Sequence, residues 1–127
     1  MIKKYVGLFV CVALVLAGLN VSVKASDSCT VPCYPYTIYG SCYVTQQTAG
    51  ATTSATPMTR VEVAATYLYV VNPTSLNPYF DSTGSSNGGD YSATVYYSIS
   101  GDKQSYSINA SHNVAGRTPT GYTDAYY

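Results

Sequence analysis

"YSATVYYSISGDKQSYSINASH", residues 91–112, alternates apolar and small polar residues with almost no interruption. A period of two over this length is typical of half-buried β-strands, because successive side chains of a strand point to opposite faces. The pair in the middle places Gly first, as a type II′ turn prefers. The stretch therefore predicts a β-hairpin that turns at Gly101-Asp102.

One face of this hairpin is predicted to be apolar, whereas the other carries mainly Ser, Thr and Asn. A two-residue turn sets the large apolar residues opposite one another, in the pairs Tyr97–Tyr106, Val95–Ile108, Ala93–Ala110 and Tyr91–His112. A slip of one residue would move Ile108 to the polar face, so the register is well specified. His112, the single histidine, is predicted to be a half-buried strand residue bonded to a backbone carbonyl or to Tyr91.

Four further segments predict strands. The strongest is "RVEVAATYLYVV", residues 60–71, whose two faces both become apolar toward the end, as in a central strand covered on both sides. Short strands are predicted at Tyr36–Tyr39 and Cys42–Gln46, hinged at Gly40, and at Tyr122–Tyr126 in the tail. With the hairpin these predict an all-β fold, a small antiparallel β-sandwich or barrel-like meander of five to six strands.

Two segments lack a strand pattern. Residues 48–59, "TAGATTSATPMT", are rich in Thr, Ala and Gly and are interpreted as a loop. Residues 72–90 contain two Asn-Pro pairs and a Gly-Gly pair, and are interpreted as a long loop of the functional or mobile kind. The predicted organisation is thus a Cys- and Tyr-bearing segment with its loop, residues 26–59, followed by a β-sandwich core, residues 60–127.

The N-terminus has the form of a bacterial secretory leader. Two lysines precede an apolar run from Tyr5 to Leu19, and small residues at Val23 and Ala25 mark a cleavage site. The run is shorter than the ~20 apolar residues of a spanning helix. Residues 1–25 are therefore predicted to be a cleaved signal peptide and the mature chain to be secreted and extracellular, without a membrane anchor.

The charge balance argues against several classes of partner. After cleavage three Lys or Arg residues stand against six Asp or Glu residues, a net charge of −3. Nucleic-acid binding and docking on an anionic membrane both rely on clustered basic residues, which this chain lacks. We therefore expect neither nucleic acid nor membrane as a partner of the mature chain.

The three cysteines predicted to survive cleavage are Cys29, Cys33 and Cys42. An oxidising compartment favours one disulfide, and the loop lengths favour Cys42 bonded to Cys29 or to Cys33. The spare thiol could join two chains into a homodimer. A zinc site formed by the cysteines and His112 is a sharper alternative, but the spacing matches no common zinc pattern, so no metal site is predicted.

The sequence lacks the residue sets of an enzyme. A Ser-His-Asp triad would need His112 with Asp124 or Asp90, but no serine lies in a strained nucleophile turn. Glu62 is the only glutamate, and no phosphate-binding loop occurs. A Ca²⁺ loop from Asp81, Asn87 and Asp90 is a further alternative, since oxygen ligands suit hard cations. We predict no enzymatic activity and no cofactor.

Tyrosine supplies the best functional signal, because the chain has 15 Tyr and no Trp. Alternation predicts a core or half-core position for one group, Tyr67, Tyr69, Tyr91, Tyr97 and Tyr106. It predicts exposure or a mobile segment for another, Tyr79, Phe80, Tyr96, Tyr126 and Tyr127. Exposed rings beside hydroxyls and amides suit sugar faces or a protein surface. Tyr79, Phe80 and Tyr96 are therefore the predicted binding residues.

The leading hypothesis is a secreted, non-enzymatic β-domain that binds or associates at the cell surface, with a glycan or a protein as ligand. A second is a self-assembling extracellular structural protein, because "SATVYYSIS" is uncharged and could pair edge to edge. The leader, the small β-rich mature chain and the aromatic C-terminus resemble secreted bacteriocins of the lactococcin 972 type, apart from the missing Trp. That resemblance implies a third hypothesis, a bacteriocin-like secreted toxin.

Overall fold

The computed structural model describes residues 24–127, which form eight β-strands and no helix. The strands are β1 (Ser26–Cys33), β2 (Tyr36–Val44), β3 (Thr48–Thr56), β4 (Val61–Val71), β5 (Tyr79–Gly89), β6 (Ser92–Ser98), β7 (Lys103–Val114) and β8 (Gly121–Tyr126). Two four-stranded antiparallel sheets result. Sheet A has the order β1-β2-β3-β6, and sheet B has the order β5-β4-β7-β8.

The two sheets bury their inner faces against each other, as in a β-sandwich. Each inner face is formed by alternate residues of its strands, and both sheets contribute to one apolar cluster that includes Ile38, Ala51, Val63, Tyr67 and Ile108. The all-β prediction is confirmed, although the structure has eight strands rather than five or six. The predicted central strand β4 and tail strand β8 are also confirmed; β4 lies between β5 and β7.

The predicted hairpin of residues 91–112 is wrong in its pairing and correct in most of its faces. Strand β6 pairs with β3, whereas β7 pairs with β4 and β8, so the turn at Gly101-Asp102 crosses from one sheet to the other. Val95 and Ile108 are buried as predicted, but they lie in different sheets and are not paired with each other. Each points from its own sheet toward the opposite one. Alternation identifies the buried face of a strand, and it carries no information on which neighbour completes the ladder.

The predicted loop at residues 48–59 is also wrong, because β3 occupies most of it in the interior of sheet A. Its inner residues are Ala49, Ala51, Thr53 and Ala55, and its outer ones are Thr, Ser and Gly. Alternation is therefore present, but in side chains so small that the contrast between the faces is weak.

Half of the predicted loop at residues 72–90 is strand β5, which pairs with β4 along its whole length. Residues 81–87 are exposed on both faces of this edge strand. A strand that buries neither face needs no apolar alternation, and Gly and Asn are tolerated there because the ladder to β4 holds the backbone. The Gly, Asn and Ser residues of this segment therefore predict a turn, although the chain there is an extended strand.

Strand β2 runs without a break through Gly40, where the sequence predicts a hinge between two short strands. A Cβ at Gly40 would collide with the imidazole ring of His112 and lie 2.8 Å from the Cys29 Sγ. Gly40 therefore makes room for a side chain of the opposite sheet rather than a bend in its own strand.

The edges of the two sheets meet in two seams. In the first, between β1 and β8, the Asp124 amide donates to the Asp27 carboxylate at 3.0 Å and the Tyr126 amide donates to the Lys24 carbonyl at 2.6 Å. In the second, between β5 and β6, the Asn87 side-chain amide donates to the Thr94 carbonyl at 3.0 Å. Each seam uses backbone groups that an open edge would offer to another chain.

Residues 1–23 lie outside the described residues, so the signal peptide stays a prediction. Among residues 24–127 no helix has the length and apolar character needed to cross a membrane.

Candidate functional site

The outer face of sheet A, hereafter the hydroxyl face, has no charged residue at its strand positions. In register across the sheet its rows read Ser26–Tyr43–Gly50–Tyr96, Ser28–Ser41–Thr52–Thr94, Thr30–Tyr39–Ser54–Ser92 and Pro32–Thr37–Thr56. Neighbouring strands lie about 4.8 Å apart and outward residues of one strand about 6.7 Å apart. The face is therefore a regular array of hydroxyl groups with three tyrosines set into it.

Two of these tyrosines flank a glycine. Tyr43 and Tyr96 lie on either side of Gly50 in one row, and a Cβ at Gly50 would be 2.6 Å from the Tyr43 ring. The Tyr43 ring therefore lies down on the glycine backbone instead of standing away from the sheet. Burial raises the pKa of the Tyr43 phenol, and the nearby Tyr96 adds to the effect.

The rings stay accessible although they are held against the sheet. Tyr39 is 44% exposed, Tyr43 41% and Tyr96 61%. Between them the Oγ1 atoms of Thr52 and Thr94 are 3.0 Å apart and share a hydrogen bond. The hydroxyl face thus combines apolar ring faces with hydroxyl groups that both donate and accept.

A cleft of about 420 Å³ adjoins this face where the β5–β6 seam opens. Tyr96 lines it together with Thr83, Tyr69 and Lys103. The Lys103 ammonium lies 5.5 Å from the centroid of the Tyr69 ring, and the Tyr69 hydroxyl donates to Asp81 at 3.4 Å. Tyr96 therefore stands at the border between a neutral surface and a polar cleft.

The structure does not bring the three predicted binding residues together. Tyr96 is on the hydroxyl face, whereas Tyr79 and Phe80 begin β5 in sheet B and are half-buried. The Phe80 ring packs edge-on against Tyr106, with centroids 5.0 Å apart. Tyr79 lies diagonally from Tyr69 across the β4–β5 ladder.

The other tyrosine predictions divide similarly. The core or half-core position is confirmed for Tyr67, Tyr69, Tyr97 and Tyr106, and exposure is confirmed for Tyr126 and Tyr127. Tyr91 contradicts its prediction, since it is 55% exposed between β5 and β6. Sequence reasoning did not select Tyr39 and Tyr43, although they alternate with the apolar Ile38 and Cys42 and could have been found that way.

His112 is fully buried between the sheets and bonded to two threonines. Its Nδ1 lies 2.7 Å from the Thr53 Oγ1 in sheet A, and its Nε2 lies 2.7 Å from the Thr123 Oγ1 in sheet B. The predicted bond to Tyr91 or to a backbone carbonyl is therefore wrong. Burial lowers the pKa of His112 to about 4, so the ring is neutral at pH 7, with one nitrogen donating and the other accepting.

The three cysteines are unpaired in the structure. Cys33 lies opposite Tyr36, so it is six residues along β2 from Cys42, a separation of about 20 Å. Cys29 lies opposite Gly40 and is the diagonal neighbour of Cys42 on the same inner face. A disulfide needs Cα atoms within about 7 Å, so the predicted Cys42–Cys33 pairing is wrong and only Cys29–Cys42 lies near reach.

Among residues 24–127 no group of three His, Cys, Asp or Glu side chains is placed to hold a metal ion. The alternatives of a zinc site at His112 and of a Ca²⁺ loop are thus not supported. Asp81, Asn87 and Asp90 are spread along β5 and the turn after it.

Comparison with protein-family models, with curated proteins and with solved structures found no match to this chain.

Proposed function

We propose that this chain is a secreted, non-enzymatic binding module whose hydroxyl face docks on a neutral polysaccharide at a cell surface. The observation that carries the proposal is the composition of that face, in which three accessible tyrosines stand in a four-stranded field of Ser and Thr without a charged strand residue. Charged residues make up about one quarter of a typical globular domain but only 9% of this chain, and the hydroxyl face has none at its strand positions.

A neutral polysaccharide matches this chemistry for two reasons. Docking on it would strip no ion of its water, which is the largest cost of burying a polar surface. Sugar rings present both hydroxyl groups and apolar C–H faces, and the hydroxyl face offers a partner for each, in Thr52 with Thr94 and in the rings of Tyr43 and Tyr96.

The lack of catalytic side chains on the strands of the hydroxyl face supports a binding role. The strand residues of the hydroxyl face include no carboxylate, imidazole or thiol, and His112 and the three cysteines point into the core or are half-buried at its edge. A surface that only recognises needs no group that changes its protonation state.

The proposal that this protein is secreted rests on the predicted leader, residues 1–25. Cleavage before Ser26 would leave all eight strands intact and remove Lys24 and Ala25. The backbone carbonyls of these two residues accept from the amides of Tyr126 and Val44. The bond from the Asp124 amide to Asp27 would survive cleavage, so the first seam would stay closed.

The two seams argue against the self-assembly hypothesis. Strand β6, which contains most of "SATVYYSIS", pairs with β3 on one side and is bridged to β5 by Asn87 on the other. The Thr94 carbonyl on its outer edge is therefore already engaged, and edge-to-edge assembly along β6 would have to break this bond first. No feature of the described residues favours the toxin hypothesis, which growth inhibition of other bacteria would test.

A pelleting assay tests the proposal. The purified protein is mixed with cellulose, chitin or isolated cell walls and centrifuged. We expect it to pellet with at least one of these, and the Tyr43→Ala and Tyr96→Ala variants to bind about ten-fold more weakly, since an anchoring ring contributes ~1–2 kcal/mol.

Tyr34→Ala is the matched control. Tyr34 is 93% exposed in the turn between β1 and β2 and is not in the rows of the hydroxyl face, so its removal should leave pelleting unchanged. Pelleting that persisted in the double variant Tyr43→Ala/Tyr96→Ala would show that another surface binds.

A further inference from the structure

The outer face of sheet B is depressed near the middle of the sheet. Two adjoining depressions of about 380 Å³ and about 550 Å³ share Ala64 and Ser111 in the middle of the sheet. Together they form one trough that crosses the strands from β5 to β8. Its size lies in the range of small-ligand sites.

The trough exists because small side chains occupy the centre of the sheet and large ones its borders. In register across sheet B the floor rows read Ser86–Ala64–Ser111–Tyr122 and Gly84–Thr66–Asn109–Asp124. One border is formed by Tyr122 and Asp124 on β8. The opposite border carries Glu62, Asn113 and Arg60.

The side chains of the trough can both donate and accept hydrogen bonds. Asn109 and Asn113 supply amides, Ser111 and Thr66 supply hydroxyls, and Asp124 supplies a carboxylate. At the β8 end the ring of Tyr122 is 72% exposed. Such a mixture suits a polyhydroxylated ligand, because each ligand hydroxyl is donor and acceptor at once and a ring C–H face can lie on the tyrosine.

Charge and backbone geometry narrow the choice of ligand. The ionisable groups of the trough are Glu62, Asp124 and Arg60, and Arg60 is already within 3.6 Å of Asp90. The balance is acidic, which disfavours phosphate, uronate and nucleic acid. The floor strands β4 and β7 are interior strands paired on both sides, so a peptide would find no free backbone to pair with.

We propose that this trough is a second binding site, one that takes a single chain of a neutral oligosaccharide lying across the strands of sheet B. The site is separate from the hydroxyl face, which lies on the other side of the sandwich. The inference does not rest on the proposed function of the hydroxyl face, because the two sites share no side chain.

Titration of the full chain with soluble oligosaccharides, followed by calorimetry, tests the site. The probes are neutral fragments of cellulose, chitin, xylan and mannan, with a polyuronate fragment as the anionic comparison. We expect a neutral fragment to bind, Tyr122→Ala to weaken binding about ten-fold, and Ala64→Phe to abolish it. Ala64 is exposed on a strand, so the phenyl ring would fill the trough without entering the core.

The Tyr96→Ala variant separates the two sites. It should bind the soluble fragment as the unmodified protein does, while losing its attachment to insoluble polysaccharide. Binding that survived both Ala64→Phe and Tyr122→Ala would overturn the trough assignment, as would binding lost in Tyr96→Ala alone. A protein that bound only the polyuronate, or no fragment, would overturn the choice of a neutral glycan.

Discussion

The two outer faces of this sandwich are built on the same four-stranded scaffold and differ in how the space above their small residues is used. On the hydroxyl face, Gly50 lies between Tyr43 and Tyr96 in one row, and the Tyr43 ring lies down on the glycine and fills the space above it. On the outer face of sheet B, Ala64 and Ser111 lie side by side, and a depression remains above them.

The difference shows that a few small residues decide whether a sheet face is filled or depressed. A neighbouring ring covers Gly50, whereas the space above Ala64 and Ser111 stays open. The hydroxyl face has no charged strand residue, whereas charged side chains line the trough. We therefore expect the hydroxyl face to bind insoluble neutral polysaccharide and the trough to bind a single oligosaccharide chain.

The largest expected effect comes from a substitution that destabilises the packing between the two sheets and therefore both outer faces. Gly40→Ala would drive a methyl group into the His112 ring and against the Cys29 Sγ. Overpacking and the loss of the two threonine bonds should cost ~3–5 kcal/mol of unfolding free energy and lower the Tm by roughly 15 °C or more. Thermal unfolding followed by circular dichroism measures it. An unchanged Tm would mean that the His112 ring can move aside freely.

The second effect is a loss of stability in acid, because His112 joins the two sheets in its neutral form. Its pKa falls from 6.5 in the unfolded chain to about 4 in the fold, so between these values the unfolded chain binds the proton and the folded chain does not. Stability is therefore complete above about pH 6.5 and falls by ~3 kcal/mol as the pH drops to about 4.

Urea unfolding at a series of pH values measures this slope, and His112→Gln is the control. The variant should be less stable at neutral pH and should lack the slope between pH 4 and 6.5. The pKa of Asp27 is lowered mainly by the Asp124 amide, a bond that cleavage before Ser26 would leave intact, so the stabilisation by Asp27 is present above the ordinary value of 3.8 and is lost only at lower pH. A slope that persisted in His112→Gln would assign the acid sensitivity to other groups.

How far the sequence predicts this fold depends on the contrast between the two sides of each strand. Strand β4 and the inner faces of β6 and β7 were predictable, because Val, Tyr and Ile alternate there with Ser, Thr and Glu. Strand β3 alternates Ala with Thr, a contrast too small to read, and β5 buries neither face. The strand that pairs with β6 could not be predicted from the sequence, because the order of strands in the sheets depends on packing across the sandwich.

The tyrosines of the candidate site could be predicted by alternation, but their arrangement could not. Tyr96 alternates with the buried Val95, and Tyr43 alternates with the buried Cys42. The contact between Tyr43 and Gly50 could not be predicted, because Gly50 lies in β3, the strand that the sequence does not reveal. The trough has no sequence signal, since its floor residues Ala64 and Ser111 are adjacent only through the β4–β7 register.

A smaller effect should separate the two faces directly. Gly50→Ala places a methyl group 2.6 Å from the Tyr43 ring, which is the exposed end of a flexible side chain and can rotate away. Stability should change by less than ~1 kcal/mol, while a displaced ring should weaken pelleting with polysaccharide about three- to ten-fold. Binding of a soluble fragment should not change. Equal loss at both faces would mean that they are coupled through the core.

The smallest expected effect is that of a reducing agent on the assembly state, which tests whether a cysteine joins two chains. Cys33 and Cys42 are 5% and 3% exposed, and burial raises the pKa of the Cys29 and Cys42 thiols, which lowers the reactive thiolate fraction. The half-buried Cys29 faces Gly40 and Gly121 rather than solvent. Sedimentation velocity should therefore show the same monomer with and without dithiothreitol, and a dimer that disappears on reduction would show that Cys29 reaches a second chain and that the β1–β8 seam opens in solution.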